Sequence, residues 1–167
     1  ISGKGRSEMI PPEIWGHLED FIRVFSTAWR QEALDKQIIS TSEALLTYLQ
    51  FDMCCLEREC FRVLFLDSGN NLIDDRLLWE GTINRVHAYP REVVRMAIEL
   101  SATAMILVHN HPQGNARPSQ DDLFLTRQIS NACAAVDVVV HDHIIVARNG
   151  AFSIALNSMI SPSRQSA

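Results

Sequence analysis

The sequence predicts an α/β sandwich in which helices flank a mixed sheet. Two features of the chain support this fold class. A pattern of two short strands joined by a turn is followed by an apolar run of strand length, and amphipathic helical segments stand between the extended ones. The chain of 167 residues is long enough to bury a core without disulfides or a structural metal. One main domain, over residues 40–156, is therefore expected.

The N-terminal part of the chain is predicted to lie outside that domain. Residues 1–9 are small, polar and mildly basic, and we expect a flexible or processed segment there. Residues 10–39 are predicted to form a long amphipathic helix that ends near Lys36, because apolar residues recur at helical spacing. These apolar residues are Ile14, Leu18, Phe21, Phe25 and Trp29. The apolar stripe needs a partner, so we expect it to face the rest of the chain, a second copy in a homodimer, or another docking surface.

The first half of the main domain is predicted to contain a helix and a hairpin. Ser40 and Glu43 resemble a capping box, and the leucines that follow indicate a second helix. Residues 61–66 and 72–79 are rich in strand formers, and residues 68–71 between them form a turn cluster. A β-hairpin is therefore predicted here.

The second half alternates helices and strands. After an extended stretch over residues 81–87, Pro90 is predicted to begin a helix, and residues 104–108 form an apolar run typical of a strand covered on both faces. Ser119 is predicted to open the next helix. Strands are then expected at residues 136–140, 144–147 and 151–155, the last of them after an Asn-Gly turn. The polar tail, residues 157–167, is expected to fray.

Composition and charge disfavour several classes of function. Fifteen basic against twenty acidic residues give a net charge of −5, the wrong sign for a protein that holds nucleic acid mainly through phosphates. No apolar run approaches the roughly 20 residues of a membrane span, and no signal-peptide pattern is present. The four cysteines form no CxxC pair and are expected to be buried thiols. They are Cys54, Cys55, Cys60 and Cys133. A cytoplasmic protein is therefore predicted.

Four of the six histidines form two HxH pairs, His109 with His111 and His141 with His143. On an extended segment, residues two apart project to the same side, so two imidazoles can converge on one ion. The first pair stands where the apolar run ends, and the loop after it leads to Asp122 in the first turn of a helix. Two histidines and a carboxylate would leave a tetrahedral Zn²⁺ an open position for water.

Each of these residues also has a structural interpretation. Ser119 and Asp122 fit a helix-capping pattern, and the cap and the metal compete for the same carboxylate oxygens. An isolated HxH pair is often structural, and His141 is either an extra site residue or a harmless strand substitution. A metal-bound water would benefit from a nearby carboxylate, and Glu57 or Glu59 could supply it. Both glutamates could equally be solvated charges at a helix end.

The whole string resembles a known metal-binding signature. His109-Asn110-His111-Pro112, followed by Ser119 and Asp122, is similar to the motif of the JAMM, or MPN-plus, metalloproteases. The surrounding sequence resembles the RadC branch of that superfamily over about residues 40–156. The matching stretches are residues 61–67 (FRVLFLD), 81–84 (GTIN), 90–93 (PREV), 106–114 (ILVHNHPQG), 118–119 (PS), 126–127 (TR) and 142–145 (DHII).

The resemblance implies a fold and a metal. The fold is the cytidine-deaminase-like α/β/α sandwich of JAB/MPN domains. The implied ligands of one Zn²⁺ are His109, His111 and Asp122. Because His₂Asp sites also accept other first-row ions, the metal identity stays open.

The resemblance also implies a reaction. Glu59 would be the acid/base glutamate, with Glu57 in reserve, and Ser119 would donate a hydrogen bond to the oxyanion. The implied activity is zinc-dependent hydrolysis of a peptide or isopeptide bond in a peptide or protein substrate. The alternative is a non-catalytic or weakly active zinc-binding interaction module of the RadC family, linked to the DNA repair machinery.

Other zinc and nucleic-acid enzymes fit the sequence less well. RadC proteins usually carry an N-terminal helix-hairpin-helix region, and its Gly-rich turns do not occur before Cys54, which weakens a DNA-repair role. A zinc nucleobase deaminase needs H-x-E and P-C-x-x-C, and neither is present. A metal-dependent nuclease is disfavoured by the acidic charge.

Overall fold

The computed structural model describes residues 42–53, 56–81 and 89–160, together with His17 and Val24. Along the chain, these residues form helix α1 (Ser42–Met53), strands β1 (Glu59–Leu66) and β2 (Leu72–Gly81), helix α2 (Pro90–Glu99), strand β3 (Ala104–His111), helix α3 (Gln120–Ala134) and strands β4 (Val139–Ala147), β5 (Gly150–Ser153) and β6 (Ser158–Ile160).

The described strands form one mixed sheet in the order β2-β1-β3-β4-β5-β6. Neighbouring strands are antiparallel except β3 and β4, which are parallel. A parallel pair needs a crossover connection, and α3 supplies it. This crossover brings the N-terminus of α3 close to the carboxyl end of β3, where the candidate site lies.

Alternation along the central strands sends their side chains to two different cores. In β1, Leu64 packs with residues of α1 on one face, whereas Val63 packs with residues of α2 and α3 on the other. In β3, Ile106 and Leu107 divide between the same two cores. Period 2 thus explains how one sheet is covered on both sides. The predicted α/β sandwich with a mixed sheet is confirmed.

Most elements of the domain lie where the sequence predicts them, but two predictions are wrong. The strands expected at residues 136–140 and 144–147 are one strand, β4, because the chain is still turning at Asp137, whose φ of 57° is left-handed. Residues 158–160 of the predicted fraying tail are a strand, since β6 pairs with β5 after a turn at Asn157. Pairing of backbone groups at a sheet edge does not require apolar side chains.

Other predictions fall outside the described residues. These include the helix over residues 10–39, apart from His17 and Val24, which are helical, and the extended stretch up to residue 87. Ser40 of the expected capping box and the adjacent residues Cys54 and Cys55 also lie outside them. Cys60 and Cys133 are buried free thiols, as predicted. In the part of the chain that is described, no helix is long and apolar enough to cross a membrane.

A buried ion pair joins the hairpin to α1. Arg62 donates through Nε to Asp75 at 2.9 Å and through Nη2 to the Tyr48 hydroxyl at 2.9 Å, and Tyr48 donates to Asp75 at 2.5 Å. Arg62 also pairs with Asp52. Because both charges are buried, removing either partner would leave the other charge buried without compensation, which is costly.

Neutralising Asp75 is therefore expected to be costly. Asp75→Asn should lower the free energy of unfolding by about 3 kcal/mol, because it leaves Arg62 buried with one carboxylate partner fewer. Asp74→Asn is the matched control, since Asp74 pairs with an exposed arginine, Arg76, and such surface pairs contribute at most about 1 kcal/mol. Chemical denaturation of both variants measures the difference. Equal losses for the two variants would contradict this account.

Candidate metal centre

The first histidine pair stands at the end of β3. His109 and His111 are two residues apart on one strand, so both face the α2 and α3 side of the sheet, as Met105 and Leu107 do. Their Nε2 atoms lie 2.8 Å apart. The His109 side chain is 2% exposed and that of His111 is 18% exposed, so the cluster is reached from the His111 side. The predicted convergence of this pair is confirmed.

Asp122 brings a carboxylate to the two imidazoles from the first turn of α3. Its Oδ1 lies 3.3 Å from His109 Nε2, and its Oδ2 lies 3.5 Å from His111 Nε2. One ligand atom from each of the three residues can be chosen so that all lie within 4.8 Å of one another. Among the described residues, this is the one group of three or more such side chains close enough to share an ion.

Ser119 and Asp122 also form a capping box, so the capping interpretation of Asp122 is confirmed. Asp122 Oδ2 accepts from the backbone N–H and the hydroxyl of Ser119, both at 2.7 Å, and the Asp122 N–H donates to Ser119 Oγ at 3.2 Å. Oδ2 takes the capping bonds and also lies near His111, whereas Oδ1 takes no bond from Ser119 and faces His109. The cap therefore holds the carboxylate beside the two imidazoles.

The hydrogen bond behind His111 decides which of its nitrogens carries a lone pair. Its Nδ1 lies 2.7 Å from the backbone oxygen of Asn115, and a carbonyl can only accept. Nδ1 therefore carries the hydrogen, and in the neutral ring Nε2 presents a lone pair to His109 and Asp122. Two such nitrogens and a carboxylate at these distances need positive charge between them, which a proton on His111 Nε2 or a metal ion can supply. The donor set therefore fits Zn²⁺.

The electrostatics of the cluster agree with that fit. Burial lowers the pKa of His109 to about 4, which keeps this ring neutral, as a metal ligand must be. Burial opposes the charge on Asp122 as well, but hydrogen bonds from His111 and Ser119 and the nearby His109 hold the pKa of this carboxyl below its usual range. Burial likewise opposes the charge on His111, yet its bonds to Asp122 and Asn115 raise its pKa. The cluster as a whole attracts positive charge.

Glu59 lies beside the cluster on the neighbouring strand. It begins β1, two residues before Phe61, which pairs with His109 across the sheet. Alternation places Glu59 on the same face as Phe61 and His109. Burial raises the pKa of the Glu59 carboxyl, with the charge of His111 lowering it and that of Asp122 raising it. Glu59 is thus close enough for the charges of His111 and Asp122 to act on its carboxyl.

Glu57 is placed differently. Its side chain is exposed and lines a surface cavity beneath α1 together with Asp52, Arg58 and Arg62. Arg62 belongs to the α1 face of the sheet, since it bonds with Tyr48 of α1. The structure therefore brings Glu59, and not Glu57, to the histidines.

Asn110, on β3, is hydrogen-bonded to the backbone on either side of Glu59. Its Oδ1 accepts from the N–H of Cys60 at 2.7 Å, and its Nδ2 donates to the carbonyl oxygen of Arg58 at 2.9 Å. Asn110 is buried, and its side chain points away from the histidines because it falls between them on the strand. One amide thus fixes the position of Glu59 relative to His109 and His111.

The second histidine pair does not converge. A bulge at His141 shifts the pairing of β4 with β3, so that Met105 lies opposite Val140 and Ile106 lies opposite Asp142. His141 therefore points outward and bonds with Asn70 at 2.8 Å. His143 is carried to the other side of the strand and lies against His109 in the core, where burial lowers its pKa well below the usual value.

Sequence reasoning gave no role to three residues at this site. Asn110 was hidden inside the histidine motif, and His143 had no assigned role. Thr126 contacts both His143 and the backbone of Asp122. A signal for Thr126 exists in hindsight: it lies one helical turn after Asp122, so it shares that residue's face of α3. The bulge that directs His143 inward has no clear signature in the sequence.

Comparison with known proteins agrees with this geometry. The family model described as RadC-like JAB domain matches residues 39–159. A curated relative, UPF0758 protein SPO0054 of Ruegeria pomeroyi, is 45% identical over 120 residues. That alignment covers 72% of this chain and 54% of the relative, so the chain spans about half of the relative's length. The chain belongs to the RadC-like JAB domain family.

Proposed function

We propose that this domain is a zinc-dependent hydrolase of the JAMM type that cleaves a peptide or isopeptide bond. The observation that carries the proposal is the meeting of His109, His111 and Asp122 beside Glu59. Four side chains from β1, β3 and α3 supply the two parts that metal-assisted hydrolysis requires: a ligand set and an acid/base carboxylate.

His109 and His111 would hold the metal through Nε2, and Asp122 through Oδ1. When bound, Zn²⁺ supplies a Lewis acid that polarises a carbonyl and lowers the pKa of a water ligand to about 7. Three protein ligands would leave room for water or substrate, and the cluster is accessible on the more exposed side, at His111. A peptide or protein substrate would approach from that side.

Glu59 would move the proton. In the attack step, its carboxylate takes a proton from water as the oxygen bonds to the carbonyl carbon. In the collapse step, the protonated Glu59 gives that proton to the leaving amine as the C–N bond breaks. Asn110 holds the backbone on both sides of Glu59, so the carboxylate keeps one position through both transfers. Phe61, fully buried against His109 and His143, keeps water from the rear of the cluster.

Ser119 would donate to the developing oxyanion. Its hydroxyl now donates to Asp122 Oδ2, so it must turn from that oxygen to the substrate. The N–H of Ser119 stays on Oδ2 and preserves the cap when the hydroxyl turns. The carboxylate of Asp122 therefore keeps one hydrogen bond from Ser119 throughout.

Hydrolysis itself tests the proposal. The zinc-loaded 167-residue chain should cleave members of a panel of internally quenched peptides or Lys Nε-linked isopeptides. A chelator should stop the reaction, and added zinc should restore it. Cleavage that is insensitive to the chelator would contradict a metal mechanism. Stoichiometric zinc without cleavage of any substrate in the panel would instead favour the non-catalytic interaction module.

The proposal includes a cytoplasmic location. Cys60 and Cys133 are free buried thiols, as is usual in a reducing compartment.

A further inference from the structure

A chain of hydrogen bonds runs from His109 away from the metal centre and returns to the backbone of another candidate ligand. His109 Nδ1 lies 2.8 Å from His143 Nε2, and His143 Nδ1 lies 2.6 Å from Thr126 Oγ1. Thr126 Oγ1 in turn donates to the carbonyl oxygen of Asp122 at 2.6 Å. The chain thus links β3, β4 and α3 behind the ligands.

The direction of every bond in this chain follows from its last member. The Asp122 carbonyl can only accept, so the single hydroxyl hydrogen of Thr126 is used on it. Thr126 must then accept from His143, which places a hydrogen on His143 Nδ1. In the neutral His143 ring, Nε2 has only a lone pair, so it accepts from His109 Nδ1. His109 therefore carries its hydrogen on Nδ1 and presents an unprotonated Nε2 to His111 and Asp122.

We propose that His143 and Thr126 are positioning residues that hold His109 in the tautomer and ring orientation a metal ligand needs. The role of these hydrogen bonds in metal binding rests on the proposed function, whereas the tautomer follows from the hydrogen bonds of two buried, neutral rings. Histidine ligands commonly donate their second ring N–H to an acceptor, which fixes the ring. His111 donates directly to the Asn115 carbonyl. His109 is buried in the sheet and donates instead to His143, which donates to Thr126; we call these two residues the relay.

Three features of the fold are needed for this relay. The bulge at His141 turns His143 toward His109, which ordinary alternation from Val140 would not do. The helical spacing of Asp122 and Thr126 lets the threonine hydroxyl reach a carbonyl one turn earlier. Both histidines are buried, so water is not at hand to replace a lost partner.

The direct test is the tautomer of His109 in the metal-free protein. Long-range ¹H–¹⁵N NMR of ¹⁵N-histidine-labelled protein distinguishes a protonated from an unprotonated ring nitrogen. The signals of His109 are identified by their loss in His109→Gln. We expect an unprotonated Nε2 and a protonated Nδ1. A protonated Nε2 on a neutral His109 would overturn the proposal, and this measurement needs no variant of the relay itself.

Thr126→Val removes the hydroxyl while nearly preserving side-chain shape. His143 Nδ1 then loses its acceptor, and the reverse arrangement, with His143 Nε2 donating to His109 Nδ1, becomes available. We expect a mixed tautomer of His109 and a zinc affinity lowered by about 10–100-fold, measured by competition with a chromophoric chelator. Thr126→Ser keeps the hydroxyl and should keep the wild-type tautomer and affinity. Folding of both is checked by circular dichroism.

The outcomes separate this proposal from the proposed function. A folded Thr126→Val protein with unchanged tautomer and unchanged zinc affinity would overturn the relay while leaving a zinc hydrolase intact. If the wild-type protein binds no zinc but shows the expected tautomer, the proposed function fails while the role of His143 and Thr126 in fixing His109 stands.

Discussion

Replacing Glu59 with glutamine is expected to lower the rate of hydrolysis by about 10²–10⁴-fold, the usual contribution of a positioned acid/base group. Glutamine has nearly the same shape but cannot take a proton from water or return one to the leaving amine. Zinc content should not change, because Glu59 is not one of the three residues whose ligand atoms converge. The measurement is kcat for wild type and variant, with zinc per chain determined on the same samples.

Glu57→Gln is the matched control for this prediction. Glu57 has the same side chain two residues earlier, but it is exposed and lines the cavity beneath α1. Its substitution should leave both kcat and zinc content at wild-type values. A large loss of kcat in Glu57→Gln with normal activity in Glu59→Gln would reverse the assignment of the two glutamates.

The second large effect is expected at Asp122. Asp122→Asn should reduce zinc affinity by more than the roughly 100-fold that loss of an outer hydrogen-bond partner causes, because a charged ligand is removed outright. The fold should persist, since an asparagine side-chain oxygen can still accept from the Ser119 N–H and cap α3. Chelator competition measures the zinc affinity, and thermal unfolding of the metal-free proteins measures how much the cap contributes to stability.

Asp121 provides the control for Asp122. Both aspartates lie in the first turn of α3, but Asp121 is exposed and Asp122 is buried. Asp121→Asn should leave zinc affinity unchanged while removing a similar favourable charge at the helix N-terminus. If Asp122→Asn bound zinc as tightly as Asp121→Asn does, Asp122 would be a helix cap alone.

Most of the fold follows from local patterns in the sequence. The apolar run that begins β3 is continuous because both faces of the sheet are covered, and this identified it as a strand, whereas β1 was identified by its strand-forming residues. The start of α3 at Ser119 followed from its capping residues. The start of β4 and the existence of β6 did not, because both depend on pairing with distant strands rather than on nearby residues.

The candidate site is likewise predictable from local sequence only in part. His109 and His111 could be paired from sequence because period 2 acts over three consecutive residues. The contact of Asp122 with them depends on the crossover from β3 through α3 to β4, so the sequence offered Asp122 only as a candidate, which the family resemblance strengthened. The inward position of His143 depends on one bulge, and the contact of Asn110 with the backbone around Glu59 depends on the register of two strands. Spacing in the sequence does not encode these last two.

The central claim is that His109, His111 and Asp122 form a zinc site, and metal content tests it most directly. Mass spectrometry on protein purified without added zinc should find about one zinc ion per chain in wild type. Far less should be found in His109→Ala and Asp122→Asn proteins that remain folded by circular dichroism. Little metal in wild type even after zinc is offered, or metal content unaffected by either substitution, would contradict the account.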